Sequence, residues 1–339
     1  MPPPLPESIP ATLQELPPKW AHFCLGVESF LVNELGVDME GKAFLTAFSG
    51  GIDSTALLLV LKYISRRNHG HVFALHLDHG LRAESPDEAA AAVALCKAAD
   101  IPCTAIRRDV QAEALSMGMG IEEAGRHVRY ALLEREREKL GAQHIALGHH
   151  LDDLCEDVLM RMLRGAGWPG ISGMPGIDPD RNLVRPFLLT PKSTLRDFLH
   201  DLRVPWSQDA SNADQRWKRN RVRHSILPLF VEENQSFTSS VARMWRMGRL
   251  DDDFWFRRCQ MLQPGPLLAQ HALEGAHQAE RMRFYKHKLD AMGPGQALAD
   301  SLFRLDAAWR EQRIGAVIQF PGDKTAKIVS EGVVFRVKH

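Results

Sequence analysis

The sequence of 339 residues lacks the marks of several common protein classes. Its five cysteines form no C-x-x-C pair, which argues against a disulfide framework, a zinc knuckle or a thiol relay of that kind. No apolar run approaches the ~20 residues that a membrane helix needs. Residues 1–18 contain seven prolines and no Lys or Arg, so they lack the basic start of a signal peptide. We therefore expect a protein of the reducing cytoplasm with no membrane segment.

Net charge is also absent, because 42 Lys and Arg balance 42 Asp and Glu. No global field attracts nucleic acid, but the charges are segregated along the chain. Residues 181–224 carry ten Lys or Arg against four Asp, and residues 216–223 carry five basic residues and no acid. With 45% hydrophobic and 25% charged residues, the composition is that of a globular protein. A polyanionic partner is expected to bind in this basic region.

Short apolar runs alternate with amphipathic segments through the first half of the chain. The predicted strands are Ala43–Phe48, His71–Asp78, Pro102–Arg107 and His144–Gly148. The predicted helices are Trp20–Leu35, Ser54–Ser65, Pro86–Ala99, Ile121–Leu140, Asp152–Arg164 and Thr190–Leu202. This alternation indicates an α/β fold with a doubly wound, mainly parallel sheet. In such sheets the ligand binds beyond the carboxyl ends of the strands.

Composition divides the chain into three parts. We expect a mobile or loosely docked proline-rich arm over residues 1–18, an α/β domain over residues 19–230, and a smaller helix-rich domain over residues 231–339. A terminal β-element is expected around Ile314–Val337. The core residues expected in the helix-rich region are Trp245, Phe254, Trp255 and Phe256.

A hexapeptide with two glycines follows the first predicted strand and opens a helix. Its residues are Ser49, Gly50, Gly51, Ile52, Asp53 and Ser54. The glycines let backbone N–H groups approach an anion, and the helix N-terminus adds its dipole, so the pattern is typical of a phosphate loop. No Lys lies in it, so it is not the G-x-x-x-x-G-K-[ST] loop. A turn with Ser and Asp capping is the structural alternative.

The hexapeptide resembles the S-G-G-x-D-S signature of the PP-loop ATP pyrophosphatases, and eight further motifs follow it. They are His76–Arg82, Glu122–Tyr130, Gly148–Glu156, Arg161–Gly167, Gly173–Pro175, Arg185–Leu188, Asp209–Asn212 and Arg219–His224. In this order the motifs resemble the tRNA(Ile)-lysidine synthase family from about Ala43 to Phe230. Departures such as Ala210, where Pro is commoner, remove no group that the family's chemistry requires.

The resemblance implies ATP-dependent ligation of L-lysine to the wobble cytidine of tRNA(Ile), with release of AMP and pyrophosphate. It makes residues 19–230 the PP-loop ATP-binding catalytic domain and residues 231–339 the tRNA-binding domain. The cofactors that it implies are ATP and Mg²⁺. The predicted catalytic residues are Asp152, Asp153 and Glu156, of which the last two bind and deprotonate the lysine ammonium. Asp53 and Asp152 are the predicted metal ligands. The alternative is that acids in a first helical turn only complement the helix dipole.

The remaining predicted site residues contact ATP or RNA. His79 and Arg126 join the phosphate loop as predicted ATP ligands, and Arg129 is left open. The predicted RNA contacts are Arg161, Arg164, Arg185, Arg219, Arg221 and Arg223, with Trp217 available for stacking. A solvated basic helix is the alternative for this region. His149 and His150 are adjacent and lack a third ligand at suitable spacing, so we expect no zinc site there.

Two other functions remain open at this point. A PP-loop tRNA thiolase would share the loop, although the lack of a C-x-x-C pair counts against it. A non-catalytic nucleotide-binding protein that binds tRNA would share the basic region. The sequence also leaves a homodimer open. From the resemblance we expect it to lack the second C-terminal domain found in longer family members.

Overall fold

The computed structural model describes residues 8–78, 80, 85–207 and 218–338. The chain divides after Arg246 into two compact units. This division falls later than the predicted domain boundary after residue 230. Among the described residues, no helix is both long enough and apolar enough to cross a membrane.

The first unit is built on a six-stranded sheet. Its strands are β1 (Ala43–Ala47), β2 (His71–Asp78), β3 (Cys103–Arg107), β4 (His144–Ala146), β5 (Ile177–Asp178) and β6 (Leu183–Val184). They lie in the order β3-β2-β1-β4-β6-β5, and all pairs are parallel except β5 with β6. Because β2 and β4 flank β1 on opposite sides, the strand order reverses beside β1. A ligand crevice is expected at that point.

The helices of the first unit connect and cover these strands. They are α1 (Pro18–Ser29), α2 (Ile52–Arg67), α3 (Ser85–Ala98), α4 (Val110–Met117), α5 (Ile121–Lys139), α6 (Leu151–Leu163), α7 (Lys192–Asp201), α8 (Lys218–Arg221) and α9 (Leu227–Glu233). A further helix, α10 (Phe237–Gln260), runs through the boundary between the units. Most predicted elements are present within a few residues, but α4 was not predicted.

Alternate residues of β1 face two different helical layers. Phe44 packs in a core with the buried face of α2, whereas Leu45 packs with Val128 and Leu132 of α5. Strand side chains alternate between the faces of a sheet, so an apolar run without interruption is required where both faces are covered. The prediction of a doubly wound, mainly parallel α/β sheet is therefore confirmed.

The proline-rich segment before α1 is packed onto the first unit where it is described. Ile9, Leu13 and Leu16 are buried in the same core as α2. Lys62 of α2 donates its Nζ hydrogen bond to the Pro10 carbonyl at 2.8 Å. Residues 8–18 are therefore docked on the first unit, because three apolar side chains between the prolines anchor the segment. Residues 1–7 lie outside the described part.

The second unit combines helices with a small antiparallel sheet. Its elements are β7 (Leu267–Ala269), α11 (Gln270–Glu274), α12 (Gln278–Asp290), α13 (Ala299–Arg310), β8 (Val317–Phe320), β9 (Lys324–Val329) and β10 (Gly332–Val337). The strand order is β7-β10-β9-β8, which confirms a terminal β-element. Its core forms around Phe284, Tyr285 and Phe335.

Two of the aromatic residues expected in the core of the helix-rich region are exposed instead. Phe254 and Phe256 on α10 are 58% and 59% exposed, so that prediction was wrong for both. Their helix continues past the first core, and the second core closes around other residues. Trp245, by contrast, is buried, and its Nε1 donates to the Met174 carbonyl at 2.9 Å.

Candidate active site

The loop after β1 turns back on itself through its two serines. The Ser49 and Ser54 hydroxyl oxygens lie 3.0 Å apart, and Ser54 Oγ donates to the Gly51 carbonyl at 3.0 Å. Gly50 has a φ of +82°, a left-handed conformation that favours glycine. Helix α2 begins at Ile52, so the loop leads directly into a helix N-terminus, where anions bind well. The geometry is that of a phosphate-binding loop.

Two other segments pack closely against this loop. Gly148, just beyond β4, lies so near α2 that a Cβ atom there would be 3.1 Å from the carbonyl carbon of Asp53. Ser207, beyond α7, donates its N–H to the Gly50 carbonyl at 2.8 Å and forms a parallel bridge with Gly51. Neither residue was predicted to take part. Gly148 stood inside a recognised motif, but nothing in the sequence indicated how closely its backbone approaches α2.

A cavity of about 250 Å³ lies at the carboxyl ends of the strands. Its apolar lining is formed by Phe48, Leu75, Leu77, Leu133 and Leu147. Its polar lining includes Ser49, Asp53, Ser54, Arg129, His149 and Asp153. An apolar surface suits the flat base of a nucleotide, and the loop beside it suits phosphates. One cavity therefore joins the predicted phosphate loop to a predicted catalytic carboxylate.

The first turn of α6 collects charged groups around a buried histidine. His150 Nε2 lies 3.3 Å from Asp153 Oδ2 and 3.6 Å from Asp53 Oδ1, and its Nδ1 lies 3.8 Å from Asp152 Oδ1. Burial alone would disfavour the charged ring. The three nearby carboxylates outweigh burial and raise the pKa of His150. The side chain of Asp153 also caps the helix, because its Oδ2 accepts the His150 backbone N–H at 3.1 Å.

Two arginines hold the carboxylates that were predicted to bind lysine. Arg219 Nε donates to Glu156 Oε2 at 2.9 Å, and Arg223 Nε donates to Glu156 Oε1 at 2.5 Å. Both arginines also donate to Asp153 Oδ1, at 3.2 and 3.1 Å. We call this set of contacts the arginine clamp. The residues of the clamp lie 63 to 70 positions apart in the sequence.

The surroundings of the clamp shift the pKa values of Asp153 and Arg223. Burial would raise the pKa of Asp153, but the charges of His150 and Arg219 outweigh burial and lower it. Burial would lower the pKa of Arg223, but its hydrogen bond to Glu156 and the charges of both carboxylates raise it. Glu156 is only 1% exposed. Asp153 is therefore an ionised partner of the two arginines.

His149 has a different hydrogen-bond partner from His150 and lines the cavity. Arg185 Nε donates to His149 Nδ1 at 3.2 Å, and Arg185 Nη1 donates to the Pro175 carbonyl at 2.8 Å. Burial lowers the pKa of His149 to about 4, so the ring is neutral at neutral pH. Because Nδ1 accepts a hydrogen bond, the ring proton is on Nε2. Arg185, a predicted RNA contact, is buried beside this histidine rather than exposed.

Tyr130 on α5 is surrounded by arginines. The guanidinium carbons of Arg126, Arg129 and Arg181 lie 4.9, 5.5 and 5.3 Å from the centre of its ring. Arg129 lines the cavity, and its Nε is buried with no hydrogen-bond partner. A buried donor without an acceptor costs about 1–3 kcal/mol. An anion that accepts from Arg129 would remove this cost, so Arg129 fits the phosphate site better than the exposed Arg126.

The predicted metal ligands have mixed surroundings. Asp53 Oδ1 is buried and accepts no hydrogen bond, so it could bind a cation. Lys192 Nζ lies 3.5 Å from Asp53 Oδ2, and the Lys192 N–H donates to Asp152 Oδ1 at 3.3 Å. No three His, Cys, Asp or Glu side chains in the described ranges are arranged to hold a metal ion by themselves. A bound Mg²⁺ would therefore need phosphate and water oxygens as further ligands, which is its usual mode with nucleotides.

Of the other predicted RNA contacts, one is hydrogen-bonded within the protein and two are exposed to solvent. Arg161 Nε donates to Asp157 Oδ2 at 2.7 Å, and its Nη1 donates to the Gly170 carbonyl at 2.9 Å. Arg164 and Arg221 are exposed. His79, Trp217 and the Asp209–Asn212 motif lie outside the described residues.

Comparison with known proteins shows which class of protein has this fold and this loop. Residues 27–230 match the PP-loop domain family, which is more than half of the chain. The U34-tRNA thiolase NcsA from Methanococcus maripaludis, solved with its [4Fe-4S] cluster, aligns with a TM-score of 0.55 and 17% identity, over 66% of this chain and 78% of that one. That likeness shows the fold alone. The chain is thus an ATP-using PP-loop protein, as predicted.

Closer relatives define the family. The chain is 43% identical over 326 residues to the tRNA(Ile)-lysidine synthase of Nitratidesulfovibrio vulgaris. This alignment covers 89% of this chain and 94% of the relative. It is 36% identical over 222 residues to the synthase of Thermotoga sp. (strain RQ2), over 65% of this chain and 53% of that relative. The chain belongs to the tRNA(Ile)-lysidine synthase family. It spans nearly all of the first relative and about half of the second.

Proposed function

We propose that this enzyme uses ATP to ligate L-lysine to the wobble cytidine of a tRNA(Ile), forming lysidine and releasing AMP and pyrophosphate. The observation that carries the proposal is the single cavity that the phosphate loop and Asp153 both line. No cysteine is among its described lining residues, which does not favour thiolation.

In the first step, the cytidine O2 attacks the α-phosphate and pyrophosphate leaves. We assign the phosphates to the loop of residues 49–54, the N-terminus of α2 and the unpartnered Nε of Arg129. Donors that are already fixed in place stabilise developing phosphate charge without reorganisation. Asp53 and Asp152 would hold Mg²⁺, which supplies charge neutralisation for the leaving pyrophosphate.

In the second step, the ε-amine of lysine attacks C2 of the cytidine and AMP leaves. Free lysine has a pKa of about 10.4, so its ammonium must bind and then lose a proton before it attacks. We assign the ammonium to Asp153, which lines the cavity, and to Glu156, which shares two arginine partners with it. Neutral His149 also lines the cavity, with its Nε2–H able to donate a hydrogen bond. The RNA itself is assigned to Arg164, Arg221 and the second unit.

Labelled lysine tests this reaction directly. The enzyme is incubated with ATP, radiolabelled L-lysine and an unmodified tRNA(Ile) transcript, and a transcript with uridine at the wobble position serves as the control. We expect label only in the cytidine transcript, with one AMP and one pyrophosphate released per lysine. Incorporation of sulfur from a labelled donor instead would indicate a thiolase, and binding without either label would indicate a non-catalytic protein.

The Asp153→Asn variant separates the two steps. Adenylated tRNA should accumulate, because attack by the cytidine oxygen does not need the amine. The lysine KM should rise roughly ten- to a hundredfold through loss of a charge-assisted contact, and kcat should fall. Asp157→Asn is the matched control, because Asp157 lies on the same helix but pairs with Arg161. If the variant instead lost adenylation and kept its lysine KM, Asp153 would belong to the ATP site and not to the lysine site.

A further inference from the structure

The phosphate loop contains no cation of its own. Residues 49–54 are two serines, two glycines, an isoleucine and an aspartate, so the loop supplies N–H and hydroxyl donors but no positive side chain. In the G-x-x-x-x-G-K-[ST] loop, by comparison, a lysine of the loop reaches the terminal phosphates of the nucleotide. Pyrophosphate gains negative charge as it leaves ATP. A loop of this composition therefore calls for a cation from another element near its phosphates.

Lys192, at the start of α7, brings an ammonium group to this loop. Its Nζ lies 3.5 Å from Asp53 Oδ2, although the two residues are 139 positions apart. Its backbone N–H donates to Asp152 Oδ1 at 3.3 Å. Two residues earlier, the Thr190 carbonyl accepts the Leu151 N–H at 2.9 Å. The start of α7 is therefore tied both to the phosphate loop and to the start of α6.

Packing holds α7 in this position. Three of its side chains are fully buried in the core that also contains α2, namely Leu195, Phe198 and Leu199. Beyond the other end of the helix, the Ser207 N–H donates to the Gly50 carbonyl at 2.8 Å. Both ends of the segment 192–207 therefore contact the phosphate loop, and the backbone that carries the Lys192 side chain is fixed beside it.

We propose that Lys192 binds the β- and γ-phosphates of ATP and stabilises the pyrophosphate that leaves in the first step. This inference rests on the proposed function. When the cytidine O2 bonds to the α-phosphorus, the bond from phosphorus to the bridging oxygen breaks, and that oxygen keeps the electron pair. The ammonium has three donors, of which Asp53 takes one, and the Lys192 side chain is 32% exposed. It can therefore donate to phosphate oxygens from its present place, without reorganisation.

The size of the cavity agrees with a pyrophosphate site at its edge. The cavity measures about 250 Å³, and its described lining includes Asp53 but not Lys192. Pockets that enclose a drug-sized ligand usually measure about 300–1,000 Å³. The apolar walls suit the base, so the terminal phosphates of a nucleoside triphosphate would extend past the loop. Lys192 contacts Asp53 from outside the cavity, where those phosphates would emerge.

Binding of inorganic pyrophosphate tests the assignment. The full-length enzyme and its Lys192→Gln variant are titrated calorimetrically in magnesium buffer with pyrophosphate and, separately, with AMP. Loss of a charge-assisted contact should weaken pyrophosphate binding roughly ten- to a hundredfold. AMP affinity should stay unchanged, because AMP lacks the β- and γ-phosphates. Lys192→Arg should recover most of the lost affinity, because it restores the positive charge.

Lys97→Gln is the matched control, because Lys97 is an exposed lysine on α3. It should bind both ligands as the wild type does. If Lys192 only forms an ion pair with Asp53, Lys192→Gln will melt at a lower temperature and bind pyrophosphate as the wild type does, which would overturn the assignment. Equal weakening of AMP and pyrophosphate would also overturn it, because the substitution would then act on the whole site.

Exchange of labelled pyrophosphate into ATP measures the first step alone. With tRNA(Ile) and ATP but no lysine, adenylation and its reversal return label to ATP. Lys192→Gln should slow this exchange about tenfold or more at saturating ATP, whereas lysine attack on purified adenylated tRNA should proceed at the wild-type rate. Unchanged exchange would reject the role of Lys192. If Lys192→Gln lost pyrophosphate affinity but the wild-type enzyme incorporated no lysine, only the proposed function would be rejected.

Discussion

Two glycines beside the phosphate site are required for different physical reasons. A Cβ atom on Gly148 would lie 3.1 to 3.3 Å from backbone atoms of Asp53 and Ser54, and backbone cannot easily give way. A Cβ atom on Gly51 would meet only Ser49 Oγ at 3.4 Å and the Ser207 carbonyl oxygen at 4.0 Å. Gly148 is therefore constrained by the protein, whereas Gly51 is open toward the cavity, where the nucleotide is proposed to bind.

Alanine at each position should separate these two constraints. Gly148→Ala should destabilise the first unit by about 1–3 kcal/mol, the usual cost of overpacking. Gly51→Ala should unfold at the wild-type temperature but lose lysine-dependent release of AMP and pyrophosphate, because its methyl group crowds the phosphates. Thermal melts and pyrophosphate release are the measurements. Near-normal turnover in Gly51→Ala would mean that the loop is structural.

The start of α6 brings together several of the residues that we assign to catalysis and metal binding. His150, Asp152, Asp153 and Glu156 all lie within it or next to it, and each contacts a group from another element. Their convergence was predictable, because strand ends and helix starts meet along one edge of a parallel sheet. The buried ring of His150 makes this turn sensitive to pH.

The contribution of His150 to stability should fall as pH rises. Its pKa is raised in the folded state, so its attraction to the carboxylates is fully present below the unfolded value of about 6.5 and is lost as pH rises through the folded value. Urea unfolding gives the free energy of unfolding of the wild type and of the His150→Gln variant. The wild type should therefore be more stable than the variant by a larger margin at pH 6 than at pH 9. The exposed His127→Gln is the control. If the stability difference between wild type and His150→Gln grew toward pH 9, the ring of His150 would not be charged in the folded state.

Elements with long periodic patterns were predicted well, and short or non-local features were not. The strand His71–Asp78 was predicted to the residue, whereas β5 and β6 have two residues each and no period to detect. The charge run at residues 216–223 was recognised as a local signal for RNA. The clamp was not, because its carboxylates lie more than 60 positions earlier and only the fold brings them together.

At the scale of the whole chain, the two units have separate cores and separate buried charges. In the second unit, Arg281 Nε donates to Asp306 Oδ1 at 2.7 Å, and Asp306 is 1% exposed. Gln278 and Tyr285 also donate to this carboxylate. The cavity that we propose for ATP, by contrast, is lined by first-unit residues wherever its lining is described.

Breaking the buried pair should therefore affect the units unequally. Asp306→Asn should destabilise the second unit by about 3–5 kcal/mol, because it leaves the charge of Arg281 without its partner. Asp300→Asn, an exposed acid on α13, should change stability by less than about 0.5 kcal/mol. Calorimetry reports the unfolding transitions, and nucleotide titration reports the first unit. An equal loss of ATP binding in Asp306→Asn would contradict the independence of the two units.

The burial of α2 determines which side of the cavity can move. Every residue from 54 to 65 of this helix is buried, whereas Lys218 and Arg219 at the start of α8 are exposed. Local opening is rarest where packed side chains cover the backbone hydrogen bonds. Amide hydrogens of α2 should therefore exchange with solvent only through unfolding of the whole unit, and those of α8 through small local openings. The phosphate-loop side of the cavity therefore serves as a fixed reference for whatever ligand binds there.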